Sequence, residues 1–202
     1  ANNAVNAYHQ SLKKLKKTSN TTLAWLRKSC CCCIEISDPT SDYYTDQFPM
    51  EKKKIEAYRT FFCHGDWYDL IEEEHAIYRE RLTNFNGENQ LEYIIQTLQK
   101  RPSKKRAIAI GINPSLDCQL TWTSSCLVSI WCIVNNWHLE FHCHSRAWDA
   151  YKKLLMDLNL WIGIMNYITQ KLNIPAWTYI HFFDTLHIYR DDKGKVNALS
   201  LH

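Results

Sequence analysis

The segment from Leu154 to Leu172 constrains the fold more than any other part of the chain. It is predicted to be a long helix, and its composition is strongly apolar. A helix on the surface of a globular protein keeps a broad polar face, so a helix of this composition is expected to be buried. The other segments must surround it, and a chain of 202 residues, 46% of them hydrophobic, is long enough to do so within one domain.

The segments around this helix carry helical and extended patterns. Amphipathic spacing predicts helices at residues 4–17, 50–62, 67–81 and 89–100. Apolar runs between turn-forming residues predict strands at residues 23–36, 107–112, 126–134, 138–144 and 178–189, with a hairpin turn at Asn135-Asn136. We therefore expect one α+β domain over residues 1–202, in which a mixed or antiparallel sheet packs on the long buried helix.

Charge and hydropathy narrow the class of protein. The net charge of +3 is too small to indicate nucleic-acid binding, and the basic residues form two groups, at 13–17 and 100–106. No apolar run reaches the roughly 20 residues that a membrane span needs. The first residues lack the pattern of a signal peptide. A cytoplasmic protein without a membrane or nucleic-acid partner is therefore expected.

The nine cysteines include four in a row, from Cys30 to Cys33. Adjacent strand residues point to opposite faces, so this run cannot converge on one metal ion, and we interpret it as small, buried strand residues. The same alternation would place His142 and His144 on one face and Cys143 on the other. Neither a metal site nor a disulfide scaffold is expected.

A set of polar side chains accompanies the predicted strands near the end of the chain. Cys126 opens one strand, and Arg146 lies on the far strand of the following hairpin, with Asp149 after it. His187 and Tyr189 alternate on a third strand, so both are expected to face the same way. A nucleophile, a cation and a His/Tyr pair are the parts needed to hold a nucleoside monophosphate.

The order of these residues resembles the thymidylate synthase family. That family has a basic pair after a helix, a cysteine at the start of a strand, an arginine three residues before an aspartate, and a closing Asp-Thr-x-His-Ile-Tyr motif. The matching positions are Lys105-Arg106, Cys126, Arg146 with Asp149, and Asp184 to Tyr189. The resemblance covers residues 89–192 well and 1–88 poorly. It implies a thymidylate synthase-like fold that dimerises through its sheet.

The resemblance implies transfer of a one-carbon unit to a pyrimidine ring. Cys126 would attack carbon 6 of a pyrimidine nucleoside 5′-monophosphate, which makes carbon 5 nucleophilic. Carbon 5 would then take a methyl or hydroxymethyl group from methylene-tetrahydrofolate or a related reduced pterin, with no metal. Arg146 would bind the phosphate and lower the thiol pKa. Lys105 and Arg106 would reach the same phosphate from a partner subunit, which implies a homodimer.

The resemblance also implies which side chains bind the sugar, the one-carbon donor and the pyrimidine base. His187 and Tyr189 would hydrogen-bond the sugar hydroxyl, and Asp149 would bind the folate-type donor. Asp157 stands where thymidylate synthases have an asparagine and deoxycytidylate hydroxymethylases have an aspartate. A carboxyl group complements the amino group of cytosine, so a cytidylate is expected, with a uridylate as the alternative. Glu56 is the candidate for the family's proton-relaying glutamate.

Several positions depart from the family's pattern. Ser124-Ser125 replace a Pro-rich stretch, Leu127 replaces a histidine, Ala147 replaces a serine, and Lys153 replaces a glycine beside the folate. The family's closing tail has no counterpart after the His-Ile-Tyr motif, so water would favour hydroxymethyl transfer or no turnover. These departures motivate a second hypothesis, in which the chain is a family member that has lost catalysis and serves as a nucleotide-binding or regulatory protein.

Overall fold

The computed structural model describes residues 1–17, 21–22, 27–64, 71, 73–118 and 124–201. The helices are α1 (Ala4–Lys17), α2 (Lys52–His64), α3 (Glu73–Thr83), α4 (Gln90–Lys100), α5 (Pro114–Asp117), α6 (Leu154–Leu172) and α7 (Lys193–Ala198). The strands are β1 (Thr21–Thr22), β2 (Arg27–Ile36), β3 (Ile108–Ile110), β4 (Leu127–Asn135), β5 (His138–Asp149) and β6 (Ala176–Ile188). The predicted extended residues 23–26 and the predicted helical residues 67–70 lie outside the described residues.

The strands form a single six-stranded sheet in the order β1-β2-β6-β5-β4-β3. Strands β5 and β6 are parallel, and the other neighbouring strands are antiparallel. A parallel pair needs a crossover connection, and α6 supplies it, because α6 is the helix between β5 and β6. The predicted α+β class with a mixed sheet on a long buried helix is confirmed.

Helix α6 is buried along almost its whole length, from Leu154 to Thr169. It packs on the sheet on one side and on α2 on the other. The contact with α2 is closest at Gly163, where an added Cβ would overlap the backbone carbonyl of Arg59. The Arg59 guanidinium also donates to the side-chain oxygen of Asn159, at 2.9 Å. Helices α2 and α6 are therefore held together by close backbone contact and by a partly buried hydrogen bond.

The β4–β5 hairpin turns at Asn136 and Trp137, which both have left-handed backbone conformations, with φ of 48° and 64°. Two consecutive residues of this kind form the two-residue loop that matches the twist of antiparallel strands. The sequence predicted this turn one residue too early, at Asn135-Asn136. Asn135 instead ends β4, paired with His138.

The cysteine run lies on β2, and its interpretation as uniformly buried is wrong. Cys32 is buried, whereas Cys31 and Cys33 are exposed. Among the described residues, the helices cover one face of the sheet, so alternate residues of this strand remain accessible. The same alternation buries Cys143 and leaves His142 and His144 half-buried, as predicted. Among the residues that the structure describes, no group of three or more His, Cys, Asp or Glu side chains could hold a metal ion.

The uncovered side of the sheet is called here the open face. It carries the side chains of Ile108, Ile110 and Phe182, which are 42%, 48% and 39% exposed. Cys33 and His144 pair with Phe182 across β2 and β5 and lie on the same face.

Candidate active site

One cavity of about 290 Å³ lies where β5 and β6 end, beside the start of β4 and the first turn of α6. The parallel register pairs Asp149 with His187, so the side chains that end these two strands are brought to the same edge of the sheet. Six of the nine residues predicted from the sequence line this cavity. Its full lining is Tyr78, Cys126, Arg146, Ala147, Trp148, Asp149, Lys153, Asp157, His187 and Tyr189.

Cys126 immediately precedes β4, and its carbonyl accepts a hydrogen bond from the backbone amide of Arg146, at 3.0 Å. The thiol is in hydrogen-bond contact with the hydroxyl of Tyr78, a residue of α3. Burial raises the pKa of the Cys126 thiol, and the charge of Asp157 adds to this shift, whereas the charge of Arg146 and the Tyr78 hydrogen bond oppose it only in part. The expected lowering by Arg146 is present, but burial outweighs it.

Arg146 holds the backbone that leads into the nucleophile position. Its Nε donates to the carbonyl of Ser125 at 2.8 Å, and one Nη donates to the carbonyl of Ser124 at 2.9 Å. The guanidinium is at an exposed position on the rim of the cavity, where it could also meet an anion. Arg146 therefore fixes the position of Cys126 and places positive charge beside it.

A buried ion pair also stabilises the segment that precedes Cys126. The guanidinium of Arg81 on α3 donates to Asp117 at 2.8 Å, and both side chains are at least nine-tenths buried. Asp117 also accepts the backbone amides of Asn113, at 2.6 Å, and of Ser125, at 3.2 Å. Burial alone would raise the pKa of Asp117, but the hydrogen bonds from Arg81 and these amides outweigh it and hold the pKa below its usual value. This cluster, the Asp117 clasp, fixes Ser125 directly before Cys126.

The two acidic residues of the cavity are held in different ways. One oxygen of Asp149 accepts the backbone amides of Tyr151, at 2.9 Å, and Lys152, at 3.2 Å, and burial raises the pKa of this carboxyl group. Asp157 is 1% exposed and accepts the indole N–H of Trp148. Asp149 thus shapes the turn into α6, while Asp157 presents a carboxylate at the wall of the cavity.

His187 and Tyr189 adjoin one another at the end of β6. Their rings meet edge to face with centroids 4.9 Å apart. His187 is buried, whereas Tyr189 is 39% exposed. The predicted common orientation of this pair toward the cavity agrees with their place in its lining.

Three predicted residues do not line the cavity. Lys105 and Arg106 are exposed in the loop before β3, where the Lys105 carbonyl accepts the indole N–H of Trp131 at 3.1 Å. Glu56 is exposed on α2 and accepts the Tyr43 hydroxyl at 2.7 Å. Lys105 and Arg106 were expected to act on a partner's site, so their position leaves that expectation open. The geometry gives no support to a proton relay at Glu56.

Sequence reasoning missed Tyr78, Trp148 and the Asp117 clasp. Trp148 lies inside the Arg-x-x-Asp motif, between the two residues that carry the resemblance. Tyr78 and Arg81 lie in the first 88 residues, which match the family's motifs poorly. The available signal was their spacing, because a tyrosine and an arginine three residues apart lie on the same face of a helix.

The chain is similar to proteins of known family. The sequence model of the family described as "Thymidylate synthase" matches residues 42–200, a span that begins well before the segment 89–192. The chain is 26% identical to a "Putative thymidylate synthase" of Methanocaldococcus jannaschii over 162 residues, which cover 78% of this chain and 73% of that relative.

Two further relatives show the same similarity over different lengths. A "Putative thymidylate synthase" of Methanosarcina barkeri is 27% identical over 174 residues, covering 82% of this chain and 75% of the relative. A "Thymidylate synthase" of Aster yellows witches'-broom phytoplasma is 25% identical over 122 residues, covering 60% of this chain and 42% of the relative. In the described part of the chain, no helix has the length and apolar character needed to cross a membrane.

Proposed function

This chain belongs to the thymidylate synthase family, and from that premise we propose that it transfers a one-carbon unit to carbon 5 of a pyrimidine nucleoside 5′-monophosphate. The observation that carries the proposal is the meeting of Cys126, Arg146, Asp157, His187 and Tyr189 around one cavity. A thiol, a cation, a base-reading carboxylate and a pair of sugar-binding groups are the set that this reaction needs.

In this proposal Cys126 forms a bond to carbon 6 of the pyrimidine and gives carbon 5 the character of an enolate or enamine. Because burial raises the pKa of the thiol, the thiolate must be stabilised by its neighbours as it forms. The positive charge of Arg146 and the hydroxyl of Tyr78 are placed to do this. Carbon 5 then bonds to the methylene carbon of the donor and loses its proton, and the donor leaves as the amine of tetrahydrofolate. Water adds to the resulting exocyclic methylene to give a hydroxymethyl group, or a hydride from the tetrahydrofolate adds to give a methyl group and dihydrofolate. Elimination of the Cys126 thiolate then restores the ring and frees the enzyme.

Methylene-tetrahydrofolate, or a related reduced pterin, would supply the one-carbon unit at the oxidation level of formaldehyde. The polar groups that line the cavity are suited to hydrogen-bonding such a donor. Asp149 accepts two amides through one oxygen, and a carboxylate has acceptor capacity beyond that for a pterin N–H edge. Lys153, which lines the cavity where the family has glycine, would meet the donor as well.

Asp157 directs the proposal toward a cytosine base. An ionised carboxylate only accepts hydrogen bonds, so it complements the exocyclic amino group of cytosine and repels the carbonyl oxygen that uracil presents at the same position. Deoxycytidylate or cytidylate is therefore the proposed substrate, and deoxyuridylate is the alternative.

The test is release of tritium from carbon 5. The protein is incubated with dUMP, dCMP, UMP and CMP, each tritiated at carbon 5, in the presence and absence of methylene-tetrahydrofolate. We expect release from one nucleotide that depends on the donor, with dCMP or CMP preferred. Binding of the same nucleotides is measured in parallel by calorimetry. If none of the four releases tritium, the transferase proposal is wrong.

A second candidate is a family member that binds the nucleotide without turnover. Lys153 in the cavity lining and the raised pKa of the Cys126 thiol favour it. Its result in the same experiment would be nucleotide binding without tritium release. Failure to bind any of the four nucleotides would exclude both candidates.

The proposal includes a homodimer formed through the open face. Ile108, Ile110 and Phe182 expose large apolar surfaces there, and Lys105 and Arg106 directly precede Ile108 at its edge. Burying these side chains would favour association, and the basic pair could then reach the cavity of a partner subunit.

Sedimentation equilibrium tests the dimer. We expect a mass twice the 23.9 kDa of one chain, and we expect Phe182→Asp to shift the protein toward monomer by placing a charge in the interface. Tyr93→Asp is the matched control, because Tyr93 is 48% exposed on α4, outside the open face. A monomeric wild-type protein would contradict the dimer.

A further inference from the structure

Trp148 lies between the cavity and the core and connects the two. It lines the cavity, yet it is 4% exposed, and its indole N–H is donated to a carboxylate oxygen of Asp157. In the proposed function, Asp157 is the residue of the cavity lining that reads the base. The residue that hydrogen-bonds Asp157 therefore bears on which base is accepted.

The indole of Trp148 is held in place by buried rings. Its centroid is 5.8 Å from that of His181, 5.9 Å from that of Phe183 and 6.4 Å from that of Trp161, in edge-to-face arrangements. Such contacts fix ring orientation as well as burying apolar area. The donor to Asp157 thus has little freedom to turn away.

A buried polar chain in turn fixes His181. Its two ring nitrogens are hydrogen-bonded, one to the Ser145 hydroxyl at 2.8 Å and the other to the Tyr179 hydroxyl at 2.6 Å. His181 is fully buried, and burial lowers its pKa well below the usual value, so the ring is neutral. A neutral imidazole with both nitrogens engaged is a rigid support for the indole.

We propose that Trp148 is a positioning residue that sets the discrimination between cytosine and uracil through Asp157, an inference that rests on the proposed function. Its N–H occupies one oxygen of the Asp157 carboxylate and holds the group in one orientation. The second oxygen then faces the base in one orientation, as an acceptor for the amino group of cytosine. Without the indole N–H, the carboxyl group can rotate, so the amino group of cytosine loses the fixed acceptor that distinguishes it from the carbonyl oxygen of uracil.

The test compares Trp148→Phe with Trp161→Phe. Both changes replace a buried indole by a smaller ring, but the indole nitrogen of Trp161 has no hydrogen-bond partner among the described residues. Dissociation constants for dCMP and dUMP are measured by calorimetry. The wild-type protein should prefer dCMP, and Trp148→Phe should reduce this preference by about tenfold. Trp161→Phe changes the packing against Trp148 but keeps its N–H, so it should reduce the preference much less. An unchanged preference in Trp148→Phe, or an equal loss in Trp161→Phe, overturns the proposal.

A double-mutant cycle shows whether Trp148 acts through Asp157. In an Asp157→Asn background, adding Trp148→Phe should leave the dCMP-to-dUMP ratio where Asp157→Asn alone puts it, because the ionised acceptor is already gone. A further change of similar size in the double variant would mean that Trp148 acts by another route.

A readout without nucleotide separates this inference from the proposed function. The indole proton resonance that disappears in Trp148→Phe should move in Asp157→Asn, whereas the resonance of Trp161 should not. If the wild-type protein binds neither nucleotide, both the proposed function and the role of Trp148 in selectivity are wrong. If the wild-type protein prefers dCMP and Trp148→Phe keeps that preference, only the role of Trp148 is wrong.

Discussion

Replacing Cys126 by serine is expected to abolish covalent trapping of 5-fluorinated pyrimidine nucleotides and to lower tritium release by about a thousandfold or more. A thiolate forms and attacks carbon far more readily than a serine hydroxyl, which stays protonated near neutral pH. Serine is close in size to cysteine, so the surrounding contacts should survive.

Mass spectrometry of the denatured protein measures this outcome. Wild-type protein incubated with a 5-fluorinated nucleotide and methylene-tetrahydrofolate should gain the mass of both, and Cys126→Ser should gain neither. Cys118→Ser is the control, because Cys118 is an exposed thiol that does not line the cavity. It should form the adduct with wild-type yield. An adduct of equal yield in Cys126→Ser would show that another residue is the nucleophile.

Gly163→Ala is expected to lower the free energy of unfolding by about 2 kcal/mol or more. The new Cβ would overlap the carbonyl oxygen of Arg59 and lie 3.0 Å from its carbonyl carbon, and a backbone cannot swing aside as a side chain can. Alanine is favoured over glycine by about 1 kcal/mol in helix propensity. The steric cost of the overlap must therefore exceed the net loss in the free energy of unfolding by that amount. Helix α2 would have to move away from α6.

Urea denaturation followed by circular dichroism measures this change. Gly194→Ala is the matched control, because Gly194 also lies in a helix, α7, but an added Cβ there meets no atom within 4 Å. It should be neutral or slightly stabilising. If Gly163→Ala were as stable as wild type, α2 and α6 could not be as closely packed as described.

The parts of the fold that follow from a local pattern were predictable from the sequence. The bounds of α6 match the predicted Leu154 to Leu172, because a long apolar run with helical composition has few alternatives. The hairpin loop was misplaced by one residue because Trp137 has no preference for a left-handed conformation. The run from Cys30 to Cys33 offers four identical residues, and nothing local says which of them faces the helices.

The candidate site was predictable where its residues fall into spaced motifs. Cys126, Arg146, Asp149, His187 and Tyr189 were found in this way, and the parallel register of β5 and β6 brings the last three together.

The residues that support the site were not predictable, since their roles depend on contacts across the fold. Arg81 meets Asp117 only when α3 packs against the loop before β4. Trp148 meets Asp157 only when the first turn of α6 folds back on β5.

The Asp117 clasp has a consequence for when the thiol becomes reactive. Its donors come from separate parts of the chain, since Arg81 is on α3, Asn113 precedes α5, and Ser125 directly precedes Cys126. Until all of them are assembled, Asp117 cannot hold the backbone of Ser125 directly before Cys126. A newly made or partly unfolded chain therefore lacks the placed thiol, so the proposed transfer would begin only once the fold is complete.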